Sequence, residues 1–193
     1  MAQNIIINIG RQYGSGGRRV AEALGKMLDI PVYNYEIITE AAKKSGFSPD
    51  IFERKEEKKR FFNLFSDSYI NDEEIFKIQS EVIRDIASKG PAIFVGRASD
   101  YVLRDMDCLD VFLSCPMEMR KYFIARRRSV TPEEAILLCQ KVDKERASYY
   151  NFFTFGNWGM ASNYDLCLDT SILGIEGTAE FIIEFGKRRG YIK

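Results

Sequence analysis

The chain has 193 residues and a mass of 22.2 kDa, 46% of it hydrophobic and 29% charged. This is a globular composition, sized for one domain that buries a core without disulfide staples, and it excludes disorder, collagen and coiled coil. Lys plus Arg and Asp plus Glu balance at 28 each, which disfavours a general nucleic-acid binder, and no apolar run approaches the roughly 18 residues of a membrane span.

Asn4–Ile9 reads as a short β-branched strand that ends at Gly10. From Gly17 to Leu28, the residues Val20, Leu24, Met27 and Leu28 share one helix face. Ile30–Tyr33 is a second strand; a helical pattern follows from Tyr35 to about Lys44, and Ser48-Pro49-Asp50 has the form of a helix start. Glu53–Arg60 is almost wholly charged and reads as a solvated face or surface loop. Asp72–Lys89 is amphipathic, with Ile75, Ile78, Val82 and Ile86 on one side, and stops at Gly90-Pro91. Ala92–Val95 and Leu109–Leu113 are buried strands. A helix opened by Pro116 ends in Arg126-Arg127-Arg128, and Thr131-Pro132-Glu133-Glu134 has the spacing of a capping box. Tyr164–Leu168 is a last strand, and Gly174–Arg189 a closing helix with Ile175, Ala179, Ile182 and Ile183 inward. Alternating strands and helices predict one α/β domain with a parallel sheet covered on both faces.

Histidine is absent, which removes every histidine-based nucleophile pair. Cys108, Cys115, Cys139 and Cys167 are irregularly spaced, arguing against Cys/His zinc sites and a disulfide framework and for buried free thiols. Met1-Ala2-Gln3-Asn4 lacks the basic flank of an export signal, and Ile5-Ile6-Ile7 is too short for its apolar core; a cytoplasmic address is expected.

The segment Gly10-Arg11-Gln12-Tyr13-Gly14-Ser15-Gly16-Gly17-Arg18-Arg19 lies between a strand and a helix, where open α/β sheets bind ligands. Its glycines let backbone N–H groups turn inward, toward the positive end of the following helix, as a phosphate requires. Two stricter templates fail. The dinucleotide fingerprint from Gly14 has Arg19 in its third glycine position. The G-x-x-x-x-G-K-[ST] loop finds five residues between Gly10 and Gly16, and Gly17 in the lysine position. What remains is a variant phosphate loop in which Arg18 or Arg19 supplies the cation. The plainer alternative is a glycine-rich turn with its arginines in solvent.

In chain order this loop, Ile30-Pro31-Val32-Tyr33, Val95-Gly96-Arg97-Ala98-Ser99-Asp100, Asp143-Lys144-Glu145-Arg146 with Tyr149-Tyr150, and Asn163 to Ser171 together resemble the cytidylate kinase-like family, P-loop proteins related to nucleoside monophosphate kinases. The resemblance is colinear over nearly the whole chain. It implies a three-layer P-loop NTPase fold with a parallel five-stranded sheet (core about 1–34, 90–116 and 163–193), a helical NMP-binding insert (about 35–89) and a lid (about 117–162). It further implies that Gly14, Ser15, Gly16, Gly17, Arg18 and Arg19 hold the phosphates of ATP. Arg97, at the end of a buried strand, would grip the acceptor monophosphate; its alternative is a structural salt bridge with Asp100 or Asp105. Asp143 and Arg146, three apart on one helix face, would bind the acceptor's ribose and phosphate.

The family's arginine one turn earlier is Cys139 here, and the acidic-basic pair after the second strand is replaced by Asn34-Tyr35-Glu36. No Ser or Thr stands at the family's Mg²⁺-binding position of the loop, which leaves Ser15 as the metal candidate. Arg128, at a possible lid hinge, joins Arg18 and Arg146 as candidate catalytic groups. Tyr149, Tyr150, Phe152, Phe153, Phe155 and Trp158 stack on a base or, more plainly, form core or a subunit interface. The expected activity is ATP- and Mg²⁺-dependent phosphoryl transfer to a nucleoside monophosphate, CMP or dCMP by default, by a monomer or homodimer. The alternatives are a kinase of another small metabolite and a catalytically weak nucleotide- or phosphate-binding sensor.

Overall fold

Runs of β-branched residues buried on both faces build the centre of the molecule, as a parallel sheet requires. The computed structural model describes residues 5–34 and 68–192; the predicted helical segment from Tyr35, the start at Ser48 and the charged run from Glu53 lie outside them. The first run is β1 (Ile6–Arg11), with β2 (Val32–Tyr33), β3 (Ala92–Val95), β4 (Leu109–Ser114) and β5 (Leu166–Asp169) beside it. They form a five-stranded sheet in the order β2-β3-β1-β4-β5, every pairing parallel, with Ile9 level with Val95 on one side and Val111 on the other.

Alternation along the strands feeds two separate cores. Ile7, Ile9, Ile93, Val95, Leu109 and Val111 pack under α1 (Gly17–Leu28) and α6 (Thr170–Arg188), against Val20, Leu24, Ala179 and Ile182. Ile6 and Phe94 point the other way, to Ile75, Ile78 and Val82 of α2 (Ser68–Lys89) and to Val102 at the end of α3 (Ser99–Val102). Fully burying each such isoleucine contributes about 2 kcal/mol. A third, smaller core joins α4 (Met117–Arg128) to α5 (Pro132–Thr154) through Ile124, Ala135 and Cys139, and the ring of Tyr13 packs against it. Thr131 forms the expected capping box: its hydroxyl accepts from Glu134 N, and the Glu134 carboxylate accepts from Thr131 N.

Several expectations shift. Met27 is 43% exposed, at the rim of the apolar face rather than inside it. The closing helix begins at Thr170, where the Asp169 carboxylate caps Ser171 N, and Gly174 (φ 68°) marks a kink within it. The four cysteines are free thiols, but Cys167 is exposed. The short helix α3 and a 3₁₀ turn at Ala161–Asn163 are additions to the sequence reading.

One polar pair interrupts the apolar sheet. Asn8, 2% exposed, donates from Nδ2 to the Asp110 carboxylate at 2.8 Å, while its own Oδ1 is buried and accepts from no donor among the described residues. Burial pushes the Asp110 carboxyl up to about 6, with Asp100 and Asp165 adding repulsion and Asn8 and Arg189 opposing. Protonated Asp110 has the O–H that Asn8 Oδ1 lacks. Because the folded-state value lies above the ordinary 3.8, the native chain binds the extra proton between about pH 4 and pH 6. Stability from this site is therefore full below about pH 4 and lost as the pH rises through 6. Asp110→Asn, which keeps the shape and supplies an N–H, is expected to flatten that fall and to raise stability at pH 7 by about 2 kcal/mol, read from urea melts at pH 4.5 and 7.

Candidate functional site

Three strand ends deliver the candidate residues to one edge of the sheet. β1 runs into the glycine loop, β3 into Gly96-Arg97-Ala98, and β4 into the start of α4. Short bonds fix the loop: Gln12 N donates to Leu113 O at 3.0 Å, the Ser15 hydroxyl to Gln12 O at 2.9 Å, and the Thr170 hydroxyl to Ser15 O at 2.6 Å. Gly14 and Gly16 take φ of 82° and 80°, which L side chains rarely adopt. Gly16 is the N-cap of α1 and brings no side chain to the first-turn amides, so those donors remain directed at the loop.

The β3 turn is strained. Gly96, Arg97 and Ala98 have φ of 77°, 63° and 51°, three left-handed residues in succession. The two non-glycines each cost about 1–2 kcal/mol, a strain that concentrates at binding sites. Arg97 lays its guanidinium over the Tyr149 ring at 5.0 Å from the centroid. Of the two carboxylates weighed as its salt-bridge partners, Asp100 accepts from the Tyr150 hydroxyl at 2.7 Å and Asp105 pairs with Arg84 at 2.9 Å.

Tyr13 is the meeting point of loop and helix pair. Its N–H donates to Asp143 Oδ1 at 2.6 Å, its carbonyl accepts from Arg120 Nη1 at 3.1 Å, and its hydroxyl accepts from Arg128 Nε at 3.2 Å. Arg120 also pairs with Asp143, with 7% and 15% of the two side chains exposed. Arg146 donates to the Arg11 carbonyl at 2.8 Å and holds its guanidinium 5.7 Å above the Tyr13 ring. Burial draws the Arg146 guanidinium below its ordinary value; Asp143 opposes, while Arg97 and Arg120 repel it further. Arg120 Nε is buried without a hydrogen-bond partner among the described residues. Arg120 and Arg146 thus share the Asp143 carboxylate, with Arg97 close enough to act on Arg146, a concentration of positive charge that suits an anion.

Gly14–Gly17, Arg97, Asp143, Arg146 and Arg128 are brought together around the loop. Arg18 and Arg19 are not. Arg18 pairs with Glu22 at 3.0 Å, with more than half of each side chain in solvent. Arg19 lines an outer groove between α1 and α6 with Lys26, Ile175 and Glu176. Ser15 is 3% exposed and its proton is engaged by Gln12, which suits a turn lock and not a metal ligand. Of the late aromatics, Phe153 stacks on Phe76 at 4.2 Å and Trp158 meets Phe112 edge-on at 5.3 Å, while Phe152 and Phe155 are exposed.

Sequence reasoning passed over Arg11, Tyr13, Arg120 and Thr170. The signal for Tyr13 was the loop's extra residue between Gly10 and Gly16, which supplies the link to α4 and α5. The side chain of Arg11 crosses two glycines. A methyl on Gly17 would meet its Cβ at 2.7 Å and its Cγ at 2.9 Å, and a methyl on Gly96 would overlap Nη1, with Cζ at 2.9 Å. Asp143→Ala would leave the Arg120 charge buried and the Tyr13 amide unpaired. It is expected to lower the unfolding free energy by about 3–5 kcal/mol in urea titrations, against under 1 kcal/mol for removal of exposed Glu184 from its pair with Arg188.

A model of the cytidylate kinase-like family matches residues 6–172. The cytidylate kinase of Pyrobaculum calidifontis is 25% identical over 182 residues, covering 94% of this chain and 92% of its own. Among solved structures, an uncharacterized protein from Eubacterium ventriosum superposes with a TM-score of 0.76 at 27% identity, over 94% of this chain and 97% of that one. Shikimate kinase from Bacteroides thetaiotaomicron shares the fold, with a TM-score of 0.59 at 10% identity over 95% and 98% of the two chains. The parallel order β2-β3-β1-β4-β5, the glycine loop opening α1 and a family match reaching from β1 to the start of α6 agree: the chain belongs to the cytidylate kinase-like family.

Proposed function

We propose that the protein transfers the γ-phosphoryl group of ATP to a nucleoside monophosphate, with CMP or dCMP as the first acceptor to try. The observation that carries this reading is the clustering of guanidinium groups where the glycine loop meets the β3 turn: Arg97 and Arg120 both lie within electrostatic range of Arg146, beside the Asp143 carboxylate that pairs with Arg120. Phosphoryl transfer needs positioning and charge neutralisation more than proton chemistry, so a site without histidine is adequate for it.

In this reading the backbone of Gly14 to Arg19 takes the ATP phosphates, and Mg²⁺ arrives with ATP as part of the co-substrate. Arg97 takes the acceptor's phosphate, and its strained backbone aims it there. Asp143 and Arg146 serve two ends: they hold the loop at Tyr13 and Arg11, and the same helix face borders the acceptor. Arg128, joined to the Tyr13 hydroxyl, closes the site from α4.

ADP release is followed with MgATP and a panel of monophosphates, sugars and hydroxy acids. The reading expects release with a pyrimidine monophosphate above all others. Release only with a non-nucleotide moves the protein to another metabolite, and ATP binding without release on any acceptor makes it a sensor. Arg97→Asn, which tolerates the left-handed backbone, is expected to raise the acceptor KM at least tenfold and leave the KM for ATP within threefold; equal losses for both substrates would remove Arg97 from the acceptor site.

A further inference from the structure

Phosphate loops of the G-x-x-x-x-G-K-[ST] kind carry a lysine where this chain has Gly17, and the arginines that follow Gly17 face away from the loop. We propose that Arg11, at the end of β1, is the cation that contacts the transferring phosphoryl group, reaching it across the space that a side chain at position 17 would otherwise fill. This rests on the kinase reading above and names a catalytic residue within it.

The glycines and the arginine form one steric unit. Arg11 Cβ and Cγ lie where a side chain on Gly17 would begin, so a lysine at 17 and an arginine at 11 exclude each other. The head of Arg11 lies against Gly96, the residue before Arg97, and a methyl on Gly96 would overlap Nη1. The side chain therefore spans from the N-terminus of α1, where the donor's phosphates are expected, to the turn that would hold the acceptor. Its main chain is fixed on two sides: Arg11 is level with Leu113 in the β1–β4 ladder, and its carbonyl accepts from Arg146. A planar fork anchored in this way contacts two phosphate oxygens at once, which a flexible ammonium does not.

In the reaction an oxygen of the acceptor's phosphate forms the new bond to the γ-phosphorus, the bond from that phosphorus to the β–γ bridging oxygen breaks, and ADP leaves. Arg11 is chemically unchanged; its positive charge meets the charge on the γ-phosphoryl oxygens and the bridging oxygen.

The test compares ATP with ADP, because a group on the γ-phosphoryl distinguishes them and a group that only shapes the loop does not. Calorimetric titration of wild-type protein is expected to show tighter binding of ATP. Arg11→Ala should weaken ATP at least tenfold and ADP less than threefold, and should lower kcat with CMP by about 100-fold or more. Where Arg11→Ala is too unstable to titrate, Arg11→Gln is measured in its place. The double variant Arg11→Gly/Gly17→Lys, which also removes the Cβ that would meet a side chain at position 17 and restores an ammonium at the usual position, should recover the preference for ATP. Equal loss of ATP and ADP, an unchanged ratio, or no recovery in the double variant would overturn the assignment, as would wild-type protein that binds neither nucleotide. A protein that shows these binding shifts yet turns over no monophosphate retains Arg11 as the γ-phosphoryl contact and loses only the acceptor reading.

Discussion

One carboxylate holds the site together. Asp143 accepts from the Tyr13 main chain and from Arg120, and through them it ties the loop after β1 to the two helices α4 and α5. Removing an ionised pair from water is costly, and beside this pair the Arg97 and Arg120 guanidinium groups both act against the charge of Arg146. In the kinase reading this cluster stands at the mouth of the sheet because an anionic ligand completes it there. On that reading binding and stability are coupled at this point, since a bound phosphate would relieve the repulsion that acts on Arg146 in the free protein.

The core was legible in the sequence because its signals are local. Ala92–Val95 is a continuous apolar run and became a strand buried on both faces, and Thr131 with Glu134 has a spacing that admits one capping geometry. Less was legible where a local sign has two meanings. Gly174 reads as a helix boundary, yet Asp169 and Ser171 had already capped a helix four residues earlier, so the glycine marks a kink. The N-cap of α3 is Ala98, left-handed and without a side-chain acceptor, and nothing in its chemistry announces a helix.

At the site the glycines were legible and the placement of the arginines was not. Composition placed Arg18 and Arg19 next to the loop, but helical spacing sets Arg18 four residues from Glu22, and that pairing turns it to solvent. Arg11 was hidden because it precedes the glycines, in what reads as the end of a strand. Its proximity to Gly17 and Gly96 depends on where β3 lies beside β1, a tertiary fact. The mismatch in spacing between Gly10 and Gly16 was in plain view, and its meaning emerged only with Tyr13 seated against the third core.

That extra residue changes what the loop does mechanically. A loop without it would be a passive cradle, shaped by its own glycines and by the Thr170 hydroxyl. With Tyr13 in place, its amide, carbonyl, hydroxyl and ring are each engaged by a different residue of α4 or α5: Asp143, Arg120, Arg128 and Arg146. Any displacement of that helix pair must break several of these contacts or drag the loop with it. In the kinase reading this makes closure over the acceptor and formation of the donor cradle a single transition rather than two, since the amides that would face ATP follow Tyr13 by only a few residues. On the same reading, Asp143 and Arg146, which bond the loop's main chain, would also border the acceptor, and a residue that touches both substrates' sites lets the filling of one bias the geometry of the other.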